Sequence, residues 1–245
     1  MEFFKHFAKG IGGGVCIGIG GTVFLSVLDP LIGGALFSVG LFTILLFRLN
    51  LYTGKVGYIP ERPLRYVFEE VLPSWLGNFA GVVLLAKSML LTHRGQALVQ
   101  RAEEISAAKL SGSLLSLFIL SVLCGLMVYF MVESYRRYSR ENMGSAMLYC
   151  ALCVEVFLLS GFEHSIADMY FFTMAGCLSR CLPELLLISL GNLLGGCLMP
   201  GAKLVCTAML SLAEAPALRR PAPLPKELFP FSFSIPKNYG LPYTK

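Results

Sequence analysis

The chain has 245 residues and a formal net charge of +5, and 56% of its residues are hydrophobic while only 14% are charged. Soluble domains carry about 25% charged residues, so this composition excludes an ordinary soluble protein and indicates a chain embedded in lipid. The basic residues lie in short loops rather than on a helix with interleaved aromatic residues, so the charge does not indicate nucleic-acid binding.

Six apolar segments are each long enough to cross a bilayer, which requires about 20 predominantly apolar residues. They cover residues 11–28, 31–52, 73–92, 111–132, 146–175 and 184–212. The last two exceed a simple span, so we expect an interruption or a tilt in each. The pattern predicts an all-α integral membrane domain with six transmembrane helices over residues 1–212. It includes a short amphipathic helix at about residues 1–9 on the membrane surface.

The first segment, with the residue before it, contains seven glycines, of which Gly10, Gly14 and Gly18 recur at every fourth residue. In membranes this spacing lets two helix backbones approach closely. A dinucleotide-binding loop is the rival interpretation. It is disfavoured because no G-x-G-x-x-G motif is completed and no strand precedes the glycines.

The two halves of the chain share a short motif. Residues 76–81 read LGNFAG and residues 190–195 read LGNLLG, and each follows a Leu-Pro pair and an interrupted apolar segment. Three spans per half predict an inverted repeat in which broken helices two and five meet near the midplane. We expect Asn78 and Asn192 to satisfy backbone groups at these breaks.

Loop charges predict the orientation of the chain. Most Lys and Arg residues outside the apolar segments fall on the side of the two termini, which predicts a cytoplasmic N-terminus and C-terminus in a plasma (inner) membrane. Residues 213–245 hold seven of the 13 prolines and predict an extended or disordered cytoplasmic tail.

Ionisable residues at membrane depth are costly and indicate function by default. Glu163 and His164 lie inside an apolar stretch, and we expect His164 to face a pore and Glu163 to be structural. Asp168 follows His164 by one helical turn, so it is positioned to orient the imidazole. Arg48 lies near the end of the second segment, where an arginine is expected to extend toward the interface.

The eight cysteines do not predict a redox or metal site. Cys150 and Cys153 form a C-x-x-C pair inside an apolar run, without further metal ligands or a group that would activate a thiolate. We expect buried structural thiols, no metal and no cofactor. A membrane enzyme would need clustered ligands or a nucleophile with a base, and His6 and His93 lie too far from His164 to supply them, so we predict no enzymatic activity.

Residues 161–169, which read GFEHSIADM, closely resemble the signature of the fifth helix in the formate/nitrite transporter family. Further resemblance lies in residues 51–54 (LYTG), 126–128 (LMV) and 191–196 (GNLLGG), so it covers residues 1 to about 212. The connection at residues 55–58 (KVGY) looks like the hydrosulfide-conducting branch of that family.

The resemblance implies an aquaporin-like protomer in a homopentamer, with one pore in each protomer. The central histidine of the family falls on His164, its lysine on Lys109 and its loop threonine on Thr53. Two apolar constrictions are implied on either side of the histidine, an inner one at Phe37, Leu41 and Phe157 and an outer one at Leu51, Tyr52 and Val128. Departures from the family pattern include Asn50, Tyr52 and Asp168, where an acid, a phenylalanine and an asparagine are usual.

The implied function is a channel or transporter for small monovalent weak-acid anions such as formate, nitrite or hydrosulfide. A bare charge is costly at an apolar constriction, so we expect proton sharing near a mainly neutral His164, while Lys109 attracts the anion. The remaining partners are the bilayer and further copies of the chain. The alternative is a neutral small-solute channel of aquaporin type, which would carry paired Asn-Pro-Ala motifs that this sequence lacks.

Overall fold

The computed structural model of the protein describes residues 1–214, and all regular elements in that range are helical. The helices are α1 (Glu2–Ser26), α2 (Pro30–Leu46), α3 (Tyr52–Lys55), α4 (Leu72–Leu90), α5 (Gly95–Leu110), α6 (Leu114–Tyr138), α7 (Met143–Leu159), α8 (Ser165–Met174) and α9 (Leu182–Glu214). A 3₁₀ turn at Val56–Glu61 and a π-helical turn at Val67–Val71 connect α3 to α4. The predicted proline-rich tail lies, from residue 215 on, outside the described residues.

The all-helical membrane architecture agrees with the sequence-based prediction. Four helical stretches within residues 1–214 are long and apolar enough to cross a membrane, namely Glu2–Ser26, Val67–Leu90, Leu114–Tyr138 and Leu182–Ser211. The apolar helices α2 and α7 have 17 residues each and are shorter than a simple span. Each is followed by an interruption, at residues 47–51 and 160–164, and then by the short helices α3 and α8.

Two local features differ from the sequence-based prediction. Helix α1 is continuous from Glu2 to Ser26, so the predicted surface helix at residues 1–9 is its first part rather than a separate element. Helix α5 was not predicted, because its polar sequence carries no transmembrane signal.

The eight cysteines are free thiols, of which five are buried and Cys206 is exposed.

Glycine allows unusually close contact between two pairs of helices. A Cβ atom at Gly14 of α1 would collide with the backbone of Asn78 in α4, and one at Gly125 of α6 would collide with the backbone of Asn192 in α9. Any larger residue would therefore force these helices apart. The α1–α4 contact and the α6–α9 contact thus use the same device in the two halves of the chain.

The side chains of Asn78 and Asn192 bind the two helix interruptions in the same way. The Asn78 side chain accepts a hydrogen bond from the Tyr52 amide and donates to the Asn50 carbonyl, both at 2.8 Å. The Asn192 side chain accepts from the Ser165 amide at 2.9 Å and donates to the Glu163 carbonyl at 2.8 Å. Each asparagine therefore satisfies backbone groups that a continuous helix would have satisfied itself.

We predict that Asn78→Ala and Asn192→Ala each lower the thermal stability of the detergent-solubilised protein markedly. Each change leaves a buried amide and a buried carbonyl without their partner, at a cost of about 1–3 kcal/mol for each group. The midpoint of thermal aggregation measures the effect. Asn142→Ala is the matched control, because Asn142 is exposed and only caps the start of α7. An equal loss in all three variants would contradict the proposed role of the two buried asparagines.

Candidate functional site

His164 lies at the second interruption and immediately precedes α8. Gly161, with a φ of 66°, allows the chain to leave α7, which positions His164 at the N-cap of α8. Its Nδ1 accepts a hydrogen bond from the Ala167 amide at 3.2 Å, while Nε2 lies 3.0 Å from Oγ1 of Thr53. Because Nδ1 accepts, the neutral ring carries its proton on Nε2 and donates it to Thr53.

Thr53 belongs to α3, directly after the first interruption, so the two interruptions meet at the His164–Thr53 contact. Both side chains are almost fully buried, at 2% and 1% exposure. A protonated imidazole would carry hydrogen on both ring nitrogens and would lose the bond from the Ala167 amide. The local geometry therefore favours the neutral ring, which was expected from burial in an apolar wall.

Apolar side chains surround this contact. The Phe157 ring stacks on the His164 ring with centroids 5.7 Å apart, and the Phe37 and Phe157 rings form an edge-to-face pair with centroids 6.4 Å apart. All six predicted constriction residues are buried, namely Phe37, Leu41, Leu51, Tyr52, Val128 and Phe157.

Two of these six residues lie close together in the structure. Leu41 and Leu51, which the resemblance assigned to the inner and outer constrictions, both line one cavity of about 180 Å³. They meet because the chain turns back after α2 and brings residue 51 alongside the end of that helix. Tyr52 is held by α9, since its hydroxyl donates to the Ser189 carbonyl at 2.9 Å.

Lys109, at the end of α5, lies between two buried carboxylates. Its ammonium group is 2.5 Å from Glu163 and 3.0 Å from Asp168. Asp168 was expected to orient the imidazole, but it pairs with Lys109, and the Ala167 amide and Thr53 bind the ring instead. Sequence reasoning did not connect Lys109 with Glu163, because the two residues are 54 positions apart and no spacing rule links them.

Lys109, which is partly exposed, and the buried Glu163 and Asp168 line a cavity of about 440 Å³ together with His164. We call this cavity the Lys109 vestibule. One ammonium group facing two carboxylates does not make this vestibule positive by itself, because the negative groups offset its charge.

A second, larger cavity of about 840 Å³ is lined by five cationic side chains and one carboxylate, and we call it the basic vestibule. Its charged residues are Arg48, Lys55, Arg62, Arg136, Arg140 and Glu70. The two vestibules lie toward opposite ends of α6. Leu117 lines the Lys109 vestibule and Tyr135 lines the basic one, about 27 Å apart at the rise of an α-helix.

Comparison with known proteins assigns the family. The family model for formate/nitrite transporters matches residues 1–206. The chain belongs to the formate/nitrite transporter family. It is therefore a multi-pass membrane protein, as the resemblance at residues 161–169 indicated.

Relatives in this family are only moderately similar. The formate channel FocA of Haemophilus influenzae is 24% identical over 192 residues, covering 70% of this chain and 66% of that protein. The nitrite transporter NirC of Escherichia coli K12 is 28% identical over 193 residues, covering 70% of this chain and 69% of that protein. The matched region thus spans about two thirds of the length of these relatives, which are a channel and a transporter.

The fold also matches solved structures. A pentameric formate channel with formate bound superposes with a TM-score of 0.70 at 24% identity, covering 84% of this chain and 98% of that chain. A second structure, described as a formate/nitrite transporter (FNT) family ion channel, gives a TM-score of 0.70 at 22% identity, covering 83% and 90%. These matches establish the fold of the described chain.

We predict that Lys109→Met strongly destabilises the protein. The change leaves Glu163 and Asp168 buried without their cation, and breaking a buried ion pair costs about 3–5 kcal/mol. Thermal aggregation in detergent measures the loss, and Asp168→Asn in the same chain should restore part of it. Lys87→Met removes the same charge from an exposed site and is the control. Equal behaviour of the Lys87 and Lys109 variants would contradict a structural role for the cluster.

Proposed function

We propose that the chain forms a homopentameric channel for small monovalent weak-acid anions, with a pore through each protomer past His164. Family membership supports the transport of a small anion, since the named relatives are formate channels and nitrite transporters. The fold match to a pentameric formate channel supports the assembly. Formate, nitrite and hydrosulfide are the candidate substrates.

The contact between His164 and Thr53 carries the proposal. It brings two interrupted helices together at a buried point where Phe157 stacks on His164 and contacts Phe37, while Leu41 and Leu51 line a cavity together. Non-helical backbone at membrane depth is tolerated where it lines a cavity or is buried in protein. A polar contact of this kind, surrounded by apolar rings, is suited to receive one small polar solute.

The chemistry follows from the neutral imidazole. Nε2–H can donate a hydrogen bond to a passing anion in place of Thr53. Because a bare charge is costly between apolar side chains, the ring takes up a proton from the aqueous vestibule and passes it to the anion, which crosses the constriction as a neutral acid while the ring returns to its neutral form. Histidine suits the task because its imidazole can take up and release a proton, which threonine and asparagine side chains do not do in the physiological pH range.

The topology is a further part of the proposal. The four long spans are completed to six by α2 with α3 and by α7 with α8, each pair crossing the bilayer as a broken helix. The repeated asparagine contacts support two related halves of opposite orientation. The loop charges support cytoplasmic termini in the inner membrane, with the basic vestibule and the adjoining Leu51 constriction toward the cytoplasm, whereas the resemblance implied that Leu51 lies in the outer constriction.

We predict that His164→Asn changes the pH dependence of transport while leaving the fold and assembly intact. Asparagine retains a hydrogen-bond donor but cannot exchange a proton at physiological pH, so flux of the weak acids should lose its wild-type pH profile. Proteoliposomes loaded with a pH-sensitive dye measure formate, nitrite and hydrosulfide flux between pH 5 and 8. A wild-type profile in the variant would contradict the proton-sharing mechanism.

We predict that the pore excludes larger and divalent anions. Phe37, Leu41, Phe157 and Leu51 are bulky and buried, which leaves room only for a solute of a few heavy atoms. Lactate and sulfate should therefore cross proteoliposomes far more slowly than formate. Glycerol tests the alternative of a neutral-solute channel, which would require rapid glycerol flux and no anion flux.

We predict that the protein purifies as a pentamer, with a mass five times that of the 26.8 kDa chain. Native mass spectrometry in detergent gives the subunit number directly. A population consisting only of monomers or dimers would contradict the proposed assembly.

A further inference from the structure

Arg48 adopts a backbone conformation that an arginine rarely takes. It lies in the first interruption, two residues after α2 ends, and its φ is 52°. It is the only residue other than glycine with a positive φ in residues 1–214. In this left-handed conformation the Cβ atom is crowded by the backbone, so an arginine here is strained. We expect such strain to persist where the side chain has a role that glycine could not fill.

The internal repeat shows what the backbone alone would require. The Asn50 and Glu163 carbonyls accept equivalent hydrogen bonds from Asn78 and Asn192, so residues 50 and 163 correspond. Two positions earlier, Arg48 therefore corresponds to Gly161, whose φ is 66°. In the second half, glycine adopts the same left-handed conformation without strain. The presence of an arginine at the equivalent position in the first half therefore requires a role for its side chain.

The Arg48 side chain lies where the wide vestibule meets the narrow part of the pore. It lines the basic vestibule of about 840 Å³ and also the cavity of about 180 Å³ that contains Leu41 and Leu51. Of the cations in the basic vestibule, only Arg48 and Lys55 line both cavities. They are therefore the cations nearest to the Leu51 constriction.

These two cations differ in whether a carboxylate neutralises them. Lys55 donates to Glu70 at 2.7 Å, so its charge is offset. The Arg48 guanidinium, in contrast, is exposed and makes no hydrogen bond or ion pair within the part of the chain that the structure describes. Its five N–H donors are available to a ligand in the vestibule.

We infer that Arg48 is an anion-binding residue that selects two-oxygen anions, such as formate or nitrite, at the basic vestibule and delivers them to the Leu51 constriction. A planar guanidinium binds a planar two-oxygen anion through two parallel hydrogen bonds, which a single-atom centre such as hydrosulfide cannot reproduce. This inference rests on the proposed anion channel and adds a specificity residue to it.

The inference makes Arg48→Gly an informative variant. Glycine is the residue that the repeat uses at this position, so the fold should persist and the protein should remain at least as stable. Loss of a charge-assisted pair of hydrogen bonds should raise the apparent KM for formate and nitrite about tenfold, with the maximal rate nearly retained. A residue with only a structural role would not change KM and maximal rate separately.

Arg48→Lys separates charge from geometry. Lysine keeps the positive charge but loses the planar pair of donors, so hydrosulfide should keep its wild-type KM while the KM for formate and nitrite is raised as in Arg48→Gly. Arg65→Gln is the control for surface charge, because Arg65 is exposed and does not line either cavity. Its kinetics should match those of the wild type.

The experiment measures initial flux against anion concentration in proteoliposomes made with neutral phosphatidylcholine and, separately, with added phosphatidylglycerol. A raised KM in both lipids for Arg48→Gly supports the inference. An effect confined to the anionic lipid would show that Arg48 binds a lipid headgroup and would overturn it. Normal wild-type flux with an unchanged KM in Arg48→Gly overturns this inference alone, whereas no wild-type flux of any of the three anions overturns the proposed channel as well.

Discussion

The structure depends on satisfying backbone groups at the two interruptions that follow the apolar helices α2 and α7. An amide or carbonyl without a partner in hydrocarbon costs several kcal/mol, so a broken helix is stable only if other groups replace the lost hydrogen bonds. Asn78 and Asn192 do this from neighbouring helices, and each reaches an amide and a carbonyl at one break. These two side chains hold the two interruptions in place, and with them the His164–Thr53 contact that joins the interruptions.

The close helix contacts follow from the same constraint. An asparagine side chain is short, so α4 and α9 must lie almost against α1 and α6 for it to reach the breaks. Gly14 and Gly125 permit that approach, because a Cβ at either position would collide with the backbone of Asn78 or Asn192. The glycine spacing in α1 was predicted to allow tight packing, and the structure shows which atoms it brings together. The glycines permit the close helix contacts, and the asparagines use that closeness to bind the interrupted backbone.

The parts of the fold and of the candidate site that could be predicted are those marked by short motifs and hydrophobic segments in the sequence. The apolar segments, the repeated LGN motif and the signature around His164 are short-range signals, and the helical membrane fold and the family were both correctly predicted from them. The polar helix α5 was not predicted because its sequence carries no transmembrane signal. The ion pairs of Lys109 were not predicted because they join residues distant in the sequence, and nothing near Lys109 in the chain indicates that it pairs with Glu163 and Asp168. The Leu41–Leu51 cavity was missed for the same reason, since it depends on how the chain turns after α2.

The two halves share a backbone arrangement but carry different charges at equivalent positions. With Asn50 matched to Glu163, the first break carries Arg48 and Lys55 where the second carries Gly161 and Asp168. In each half an oppositely charged partner is buried or half-buried nearby: Glu70 binds Lys55, and Lys109 binds Asp168.

Because the asparagine contacts use only backbone groups at the breaks, they leave these side chains free to differ. The scaffold therefore fixes one backbone geometry, while the charges of the two vestibules are set independently: the basic vestibule is cationic and the Lys109 vestibule is charge-compensated. In the proposed channel, an anion meets attraction before one constriction and a mixed ion-pair cluster beyond the other, so the two directions of permeation are not equivalent even though the backbone is repeated.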